Sequence, residues 1–356
     1  MRPRGTAHGK VILFGEHAVV YGVPALAVGI DRGAWAEATP RTRDSASGRD
    51  GAARDAGSLP PSTLHVRGWN VTVSDDANED SLPLARALRD ILLVTRDAQR
   101  EAGVASVGPV TVEAAADLPP GGGLGCSAAL GVAVARALDP TASSDAIALR
   151  VAAWERVFHG NPSGIDGAVA SLGGCVLFQR AAGPGEAAVI QRVRVPSAIH
   201  LAIGHSGQAS STKSMVEAVA RMRERRPEPT QRTFDAIHTL VKNARLAIEA
   251  GDVRAVGQLL DLNQMLLSGL FVSTPEIEQM CGTARAAGAL GAKLTGAGGG
   301  GCVVALVEDA SRGAAVLEAW KRDGFDGFDG FTTAVGGDLT MARETAAELN
   351  VLAGLL

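Results

Sequence analysis

Two hydrophobic periods run through the chain, and they do not alternate as a regular strand–helix series. Val110, Val112 and Ala114 alternate with Thr111 and Glu113, which predicts a half-buried strand. Lys10–Phe14 and Ala25–Ile30 are apolar enough to predict buried strands, with others expected at Ala34–Ala38 and Leu64–Val73. Leu84, Leu88, Ile91 and Leu92 share one side of a helix predicted over Leu82–Glu101. Ser127 to Leu138, rich in Ala, Val and Leu, predicts another. Ser144 is expected to cap a helix over Asp145–Phe158 whose apolar face is Ile147, Val151, Trp154 and Phe158. Residues 160–164 break it, and Ile165–Leu172 resumes as a short helix before a strand at Cys175–Gln179. Further strands are expected at Val189–Val195, His200–Gly204, Cys302–Val307 and Phe331–Val335. Helices are expected at Thr212–Glu224, Thr233–Ala250, Val253–Leu267 and Ala314–Lys321, and after Thr274 as cap with Pro275 in first position.

This mixture predicts an α+β fold. The chain has 356 residues, enough for two domains, and Ala181–Glu186 is the expected boundary, giving domains 1–182 and 183–356. Residues 41–62, poor in apolar side chains, predict an exposed, partly disordered loop. The Gly-Phe-Asp repeat at Gly324–Phe331 predicts a turn.

Composition narrows the function. Hydrophobic residues make up 46% and charged residues 20%, as in a globular protein with a sizeable core. A formal charge of −4 argues against a nucleic-acid or acidic-membrane partner, and no apolar run of membrane length occurs. The four cysteines (Cys126, Cys175, Cys281, Cys302) have no metal-type spacing, which predicts free thiols in a reducing, cytoplasmic setting.

The candidate chemistry gathers around Asp117-Leu-Pro-Pro-Gly-Gly-Gly-Leu-Gly-Cys-Ser-Ala-Ala-Leu130, where a strand gives way to a helix through two prolines and four glycines. Glycine lets a ligand approach the main chain. Free N–H groups at a helix start, with the positive end of its dipole, suit phosphate. A tight turn that only packs strand on helix is the plainer alternative. No Gly-Lys-Ser/Thr follows, so this is not a Walker A loop. Gly123-Leu-Gly125-Cys-Ser-Ala128 loosely matches the dinucleotide fingerprint, but the βαβ context is missing.

Ser127 could cap the helix or offer a hydroxyl to Mg²⁺ beside phosphates. Glu155 flanks the apolar stripe of its helix, so it could be a second oxygen ligand or half of a buried salt bridge. Asp166, between Gly164 and Gly167, could be a dipole partner or project into a cleft. Lys10 opens an apolar strand. An Asp and a Lys together beside phosphates would suit phosphoryl transfer, the Asp receiving or orienting a hydroxyl proton. His17, beside Glu16 in a turn, reads by itself as a hydrogen-bonded structural histidine.

Three stretches together resemble the galactokinase, homoserine kinase, mevalonate kinase and phosphomevalonate kinase (GHMP) superfamily. They are Gly9-Lys-Val-Ile-Leu-Phe-Gly-Glu-His-Ala-Val-Val-Tyr-Gly-Val-Pro-Ala-Leu26, Leu118-Pro-Pro-Gly-Gly-Gly-Leu-Gly-Cys-Ser-Ala-Ala129 and Lys293-Leu-Thr-Gly-Ala-Gly-Gly-Gly-Gly-Cys302. Within it the chain is most similar to the mevalonate kinases, through Gly15-Glu-His-Ala-Val-Val-Tyr-Gly22 and Glu155-Arg-Val-Phe-His-Gly-Asn-Pro-Ser-Gly-Ile-Asp166.

The resemblance implies ATP and (R)-mevalonate as substrates, 5-phosphomevalonate and ADP as products, and a homodimer. It implies Asp166 as the catalytic aspartate, Lys10 as its partner, and Ser127 and Glu155 as Mg²⁺ ligands. Glu16, His17 and Thr212 would lie on the substrate side. Gly121, Gly122, Gly123, Leu124, Gly125, Cys126 and Ser127 would surround the ATP phosphates. It further implies an N-terminal domain like the second domain of ribosomal protein S5 and a ferredoxin-like C-terminal domain.

Cys126, His8 and Gly167 depart from the superfamily pattern, which usually has Ser, Pro and Asn there. Another acceptor (phosphomevalonate, homoserine or a sugar), or a non-catalytic sensor of the same fold, are the alternatives. A thiol at a helix start is also expected to have thiolate character at Cys126.

Overall fold

The structure is a computed structural model describing residues 4–41, 60–77, 82–160, 163–181, 183, 188–327 and 329–337. The loop expected over 41–62 and the boundary expected at 181–186 lie largely outside the described residues. The chain forms two compact units, one of residues 1–7, 33–117 and 127–162, the other of residues 8–32, 118–126 and 163–356.

The first unit is built on antiparallel pairing between β5 (Val110–Ala116) and the second half of β2 (Ala25–Pro40), with Trp35 opposite Ala115. β3 (Thr63–Arg67) joins β5 in parallel, Leu64 opposite Val112, and β4 (Val71–Ser74) closes a hairpin on it. A single strand over Leu64–Val73 was expected. The chain instead turns at Gly68 and Asn70, both at positive φ, so Arg67-Gly-Trp-Asn70 is the hairpin's tip. α1 (Pro83–Glu101) packs on α3 (Ser144–His159) and buries Leu84, Leu88, Ile91 and Leu92 as its pattern predicts. α3 is capped one residue earlier than expected, by Ser143, whose Oγ accepts from Ala146 N at 3.3 Å. α2 (Cys126–Leu138) completes this unit's helices. Gly131 on α2 lies against Trp154 on α3, and a Cβ there would come within 2.8 Å of the indole.

In the second unit, the first half of β2 pairs with β6 (Cys175–Gln179), and β6 with β7 (Val189–Val193), all antiparallel. Two strands were expected over residues 25–38. One continuous β2 forms because its polar centre is satisfied in place. Asp31 accepts from Thr333 Oγ1 at 3.1 Å, and the Arg32 guanidinium lies 4.1 Å from the Phe331 ring centroid.

A separate antiparallel sheet has the order β11 (Phe331–Val335), β8 (Ile199–His205), β10 (Cys302–Val307), β9 (Gly291–Leu294). β10 is buried at every position, as its uninterrupted apolar run predicts. On this sheet pack α7 (Val253–Gly269), α8 (Pro275–Ala286) and α9 (Ala310–Arg322), while α6 (Pro227–Ala250) packs on α7 and α5 (Thr212–Arg225) on α6. α6 begins six residues before the expected Thr233 because Pro227 starts it, where its missing N–H costs nothing. Trp320 of α9 sits over Gly204 of β8 and donates from Nε1 to Met280 O at 2.8 Å. Among the described residues no helix is long and apolar enough to cross a membrane.

Candidate active site

β1 (Arg4–Phe14) carries Lys10 and ends at a tight corner, Gly15-Glu16-His17. Gly15 has φ 102°, and a Cβ there would strike Ala25 Cα at 2.6 Å, so the corner admits only glycine at that point. A single 3₁₀ turn, Ala18–Tyr21, follows.

Lys10 is brought to Asp166, in the first turn of α4 (Ile165–Leu172). Its Nζ lies 3.1 Å from Asp166 Oδ1, and the two side chains are 3% and 29% exposed. The ammonium is sheltered while the carboxylate keeps an open side, which is what a group that must meet a ligand requires.

The glycine loop at residues 121–125 lies against the same lysine. Gly121, Gly123 and Gly125 have φ between 71° and 79°, and a Cβ on Gly125 would strike Lys10 Cγ at 2.7 Å. The loop's carbonyls turn inward: Leu124 O accepts from Lys10 N at 2.9 Å and Gly122 O from Cys302 N at 3.1 Å. Among the described residues the amides of Gly123, Leu124 and Gly125 donate to no main-chain carbonyl. Donors left over in a glycine turn are the makings of an anion cradle.

The second glycine cluster closes on the first, since a Cβ on Gly296 would meet Gly123 Cα at 2.8 Å. The two clusters line a small cavity to which Ser210 and Thr212 also contribute. Thr212 is thus next to the loop, at the start of α5, whose cap is Ser211.

Glu16 and His17 are buried. Lys293 Nζ donates to Glu16 Oε1, and Asn263 Nδ2 to Glu16 Oε2 at 3.3 Å. His17, with φ 61°, bonds through Nε2 to Ala297 O at 2.8 Å. A carbonyl can only accept, so Nε2 carries the proton. Burial holds the imidazole pKa below its ordinary value. The bond to Ala297 opposes that shift and the Lys293 charge adds to it, so the ring is neutral.

Cys126 contradicts the expectation of thiolate character. It is buried, its Sγ donates to Leu118 O at 3.7 Å, and burial pushes its pKa up to about 12. The effect of the helix start is overridden by loss of water.

Ser127 and Glu155 belong to the first unit. Trp154 Nε1 donates to Ser127 O at 3.0 Å, so the indole that fills the space above Gly131 also fixes the first turn of α2. Ser127 Oγ is buried with no hydrogen-bond partner among the described residues, so it does not act as a helix cap. The next residue on α3, Glu155, is buried with His159 Nε2 3.9 Å from its carboxylate. The orphaned Ser127 hydroxyl and the buried Glu155 carboxylate are both oxygen donors, the ligand chemistry that Mg²⁺ takes.

Sequence reasoning missed Asn263 and gave Lys293 no role. Lys293 opens the third signature within an apolar strand, and a lysine at such a place was the available signal.

Residues 88–174 match the GHMP kinases N terminal domain family and residues 244–326 match GHMP kinases C terminal. A mevalonate kinase of Thermococcus onnurineus is 34% identical over 323 residues, covering 87% of this chain and 90% of that protein. One from Pyrococcus abyssi is 33% identical over 325 residues, covering 86% and 89%. The crystal structure of L. major mevalonate kinase in complex with R-mevalonate superposes with a TM-score of 0.72 at 28% identity, covering 96% of this chain and 97% of that one.

Proposed function

The chain belongs to the GHMP kinase superfamily, and on that premise we propose that it transfers the γ-phosphoryl group of ATP to the 5-hydroxyl of (R)-mevalonate, giving 5-phosphomevalonate and ADP. The observation that carries this reading is the Lys10–Asp166 pair, half open on its carboxylate side and pressed against the glycine loop.

Asp166 accepts or orients the proton of the acceptor hydroxyl as it attacks. Lys10 holds that carboxylate in place and offsets charge on the transferring group. The loop amides of Gly123, Leu124 and Gly125 hold phosphate oxygens, as an anion cradle does. Thr212 borders the same cavity and contacts the substrate. The neutral His17 bonds a substrate oxygen through Nδ1 only where that oxygen carries a proton, as a hydroxyl does, because its Nε2–H is committed to Ala297. Ser127 and Glu155 would hold Mg²⁺, which when bound supplies neutralisation of phosphate charge.

Superfamily kinases differ in acceptor, so the test is an acceptor panel. Purified protein is given ATP, Mg²⁺ and, in turn, mevalonate, phosphomevalonate, homoserine and galactose, and ADP release is followed. Turnover with mevalonate is expected. Inert mevalonate with turnover of another acceptor moves the protein elsewhere in the superfamily. No turnover with any acceptor favours a sensor.

A further inference from the structure

We propose that Lys293 and Asn263 are positioning residues that clamp Glu16, and through it the Gly15–His17 corner, in register with Lys10 and Asp166. The proposal rests on the phosphoryl-transfer reading above and adds two residues that touch neither reacting group.

Four tethers join the first signature to the third signature and α7, all within the second unit. Lys293 Nζ donates to Glu16 Oε1, to Ile12 O at 3.3 Å and to Leu294 O, so all three of its hydrogens are used. Asn263 Nδ2 takes the other Glu16 oxygen. Thr295 Oγ1 accepts from Ile12 N at 3.0 Å and donates to Ile12 O at 3.3 Å. His17 Nε2 reaches Ala297 O. With both oxygens held, the Glu16 carboxylate is fixed in position and orientation.

Simple core packing does not explain this arrangement. Lys293 and Glu16 are 0% and 1% exposed, and apolar side chains of similar volume would fill the space without the cost of stripping water from two charges. Asn263 is fully buried and its Oδ1 has no partner among the described residues, which leucine would avoid. The corner that these groups hold is strained. His17 at φ 61° stays there only if its surroundings over-determine it. Burial holds the Lys293 pKa below its ordinary value, the Glu16 carboxylate opposes that shift, and the Lys10 charge adds to it last and least.

The test uses the full chain with the acceptor that the wild type turns over, so a wrong acceptor is exposed before any variant is made. Lys293→Met, Lys293→Arg and Asn263→Leu are assayed per folded molecule, well below each variant's melting temperature, and the Kd for ATP is measured separately by calorimetry. Lys293→Met is expected to lose on the order of 100-fold in kcat/KM for the acceptor with ATP affinity within about threefold. Lys293→Arg should recover to within about tenfold of wild type. Asn263→Leu, which removes an unsatisfied oxygen and should fold even where Lys293→Met does not, is expected to lose about tenfold in the same parameter. If kcat and acceptor KM per folded molecule stay within twofold of wild type in Asn263→Leu and in any folded Lys293 variant, the clamp is structural only and the proposal falls.

Discussion

The Lys10–Asp166 and Lys293–Glu16 pairs each join a lysine to a carboxylate in the same unit, and they differ in their access to water. Asp166 is 29% exposed beside its lysine, while neither member of the second pair exceeds 1%. In the first pair the carboxylate has one oxygen at the lysine and room for a further ligand. In the second all three Lys293 hydrogens and both Glu16 oxygens are engaged by the protein itself. The open pair is arranged to react and the closed pair to hold. Charge complementarity alone does not distinguish them.

The largest effect that would break this distinction is kinetic. Asp166→Ala is expected to lower kcat by about 10²–10⁴-fold, the usual worth of a positioned acid–base group, while ATP binding stays within a few fold. Steady-state ADP release and equilibrium nucleotide binding on the same preparation check it. Full turnover by Asp166→Ala would remove the open pair from the chemistry.

The next effect is on stability, and it should fall on the other pair. Lys293→Met leaves the Glu16 carboxylate buried without its counter-charge, which costs about 3–5 kcal/mol. The double variant Lys293→Met, Glu16→Gln removes both charges and should recover most of that loss, because the neutral amide can still meet Asn263. Urea unfolding of the wild type, both single variants and the double variant completes the cycle. A Lys293→Met loss below about 1 kcal/mol would mean that water reaches the pair and that the contrast with Lys10–Asp166 is overstated.

These pairs also show how far the sequence could be read. Ile165–Leu172, Cys175–Gln179, Cys302–Val307 and Phe331–Val335 are found at the predicted residues because glycine or polar turns bound each apolar run. Two strands are expected where β2 runs because the apolar stretches Ala25–Ile30 and Ala34–Ala38 are separated by Asp31, Arg32 and Gly33. Their partners, Thr333 and Phe331, lie about 300 residues away, beyond any local pattern. Lys10 and Asp166 were legible as chemistry because each stands in a glycine-bounded motif. The Lys293–Glu16 pair was not, because its members are 277 residues apart, so the apolar strand around Lys293 hints at burial without naming its partner. Ser127 was ambiguous between cap and ligand in one dimension. In three, its hydroxyl is buried and caps nothing.

The smallest effect concerns the four thiols, where the same rule of water access is tested without substitution. Cys126, Cys175, Cys281 and Cys302 are buried and free, and burial raises each to about 12 from an ordinary value of 9.0. The folded protein therefore keeps these protons at a pH where the unfolded chain has released them. Their contribution to stability is fully present below about pH 9 and is lost as pH rises towards 12. His17 acts on the acid side. Its lowered pKa means that the unfolded chain takes up a proton first, so its contribution is present above pH 6.5 and fades as pH falls below that value. At pH 8 a thiol reagent should label none of the four in the native protein and all four in urea, with ATP making no difference to the native result. Selective labelling of Cys126 in the native state, blocked by ATP, would show that the helix start prevails over burial. The Cys126 thiol would then stand, like the loop's amides, where water and ligand reach it.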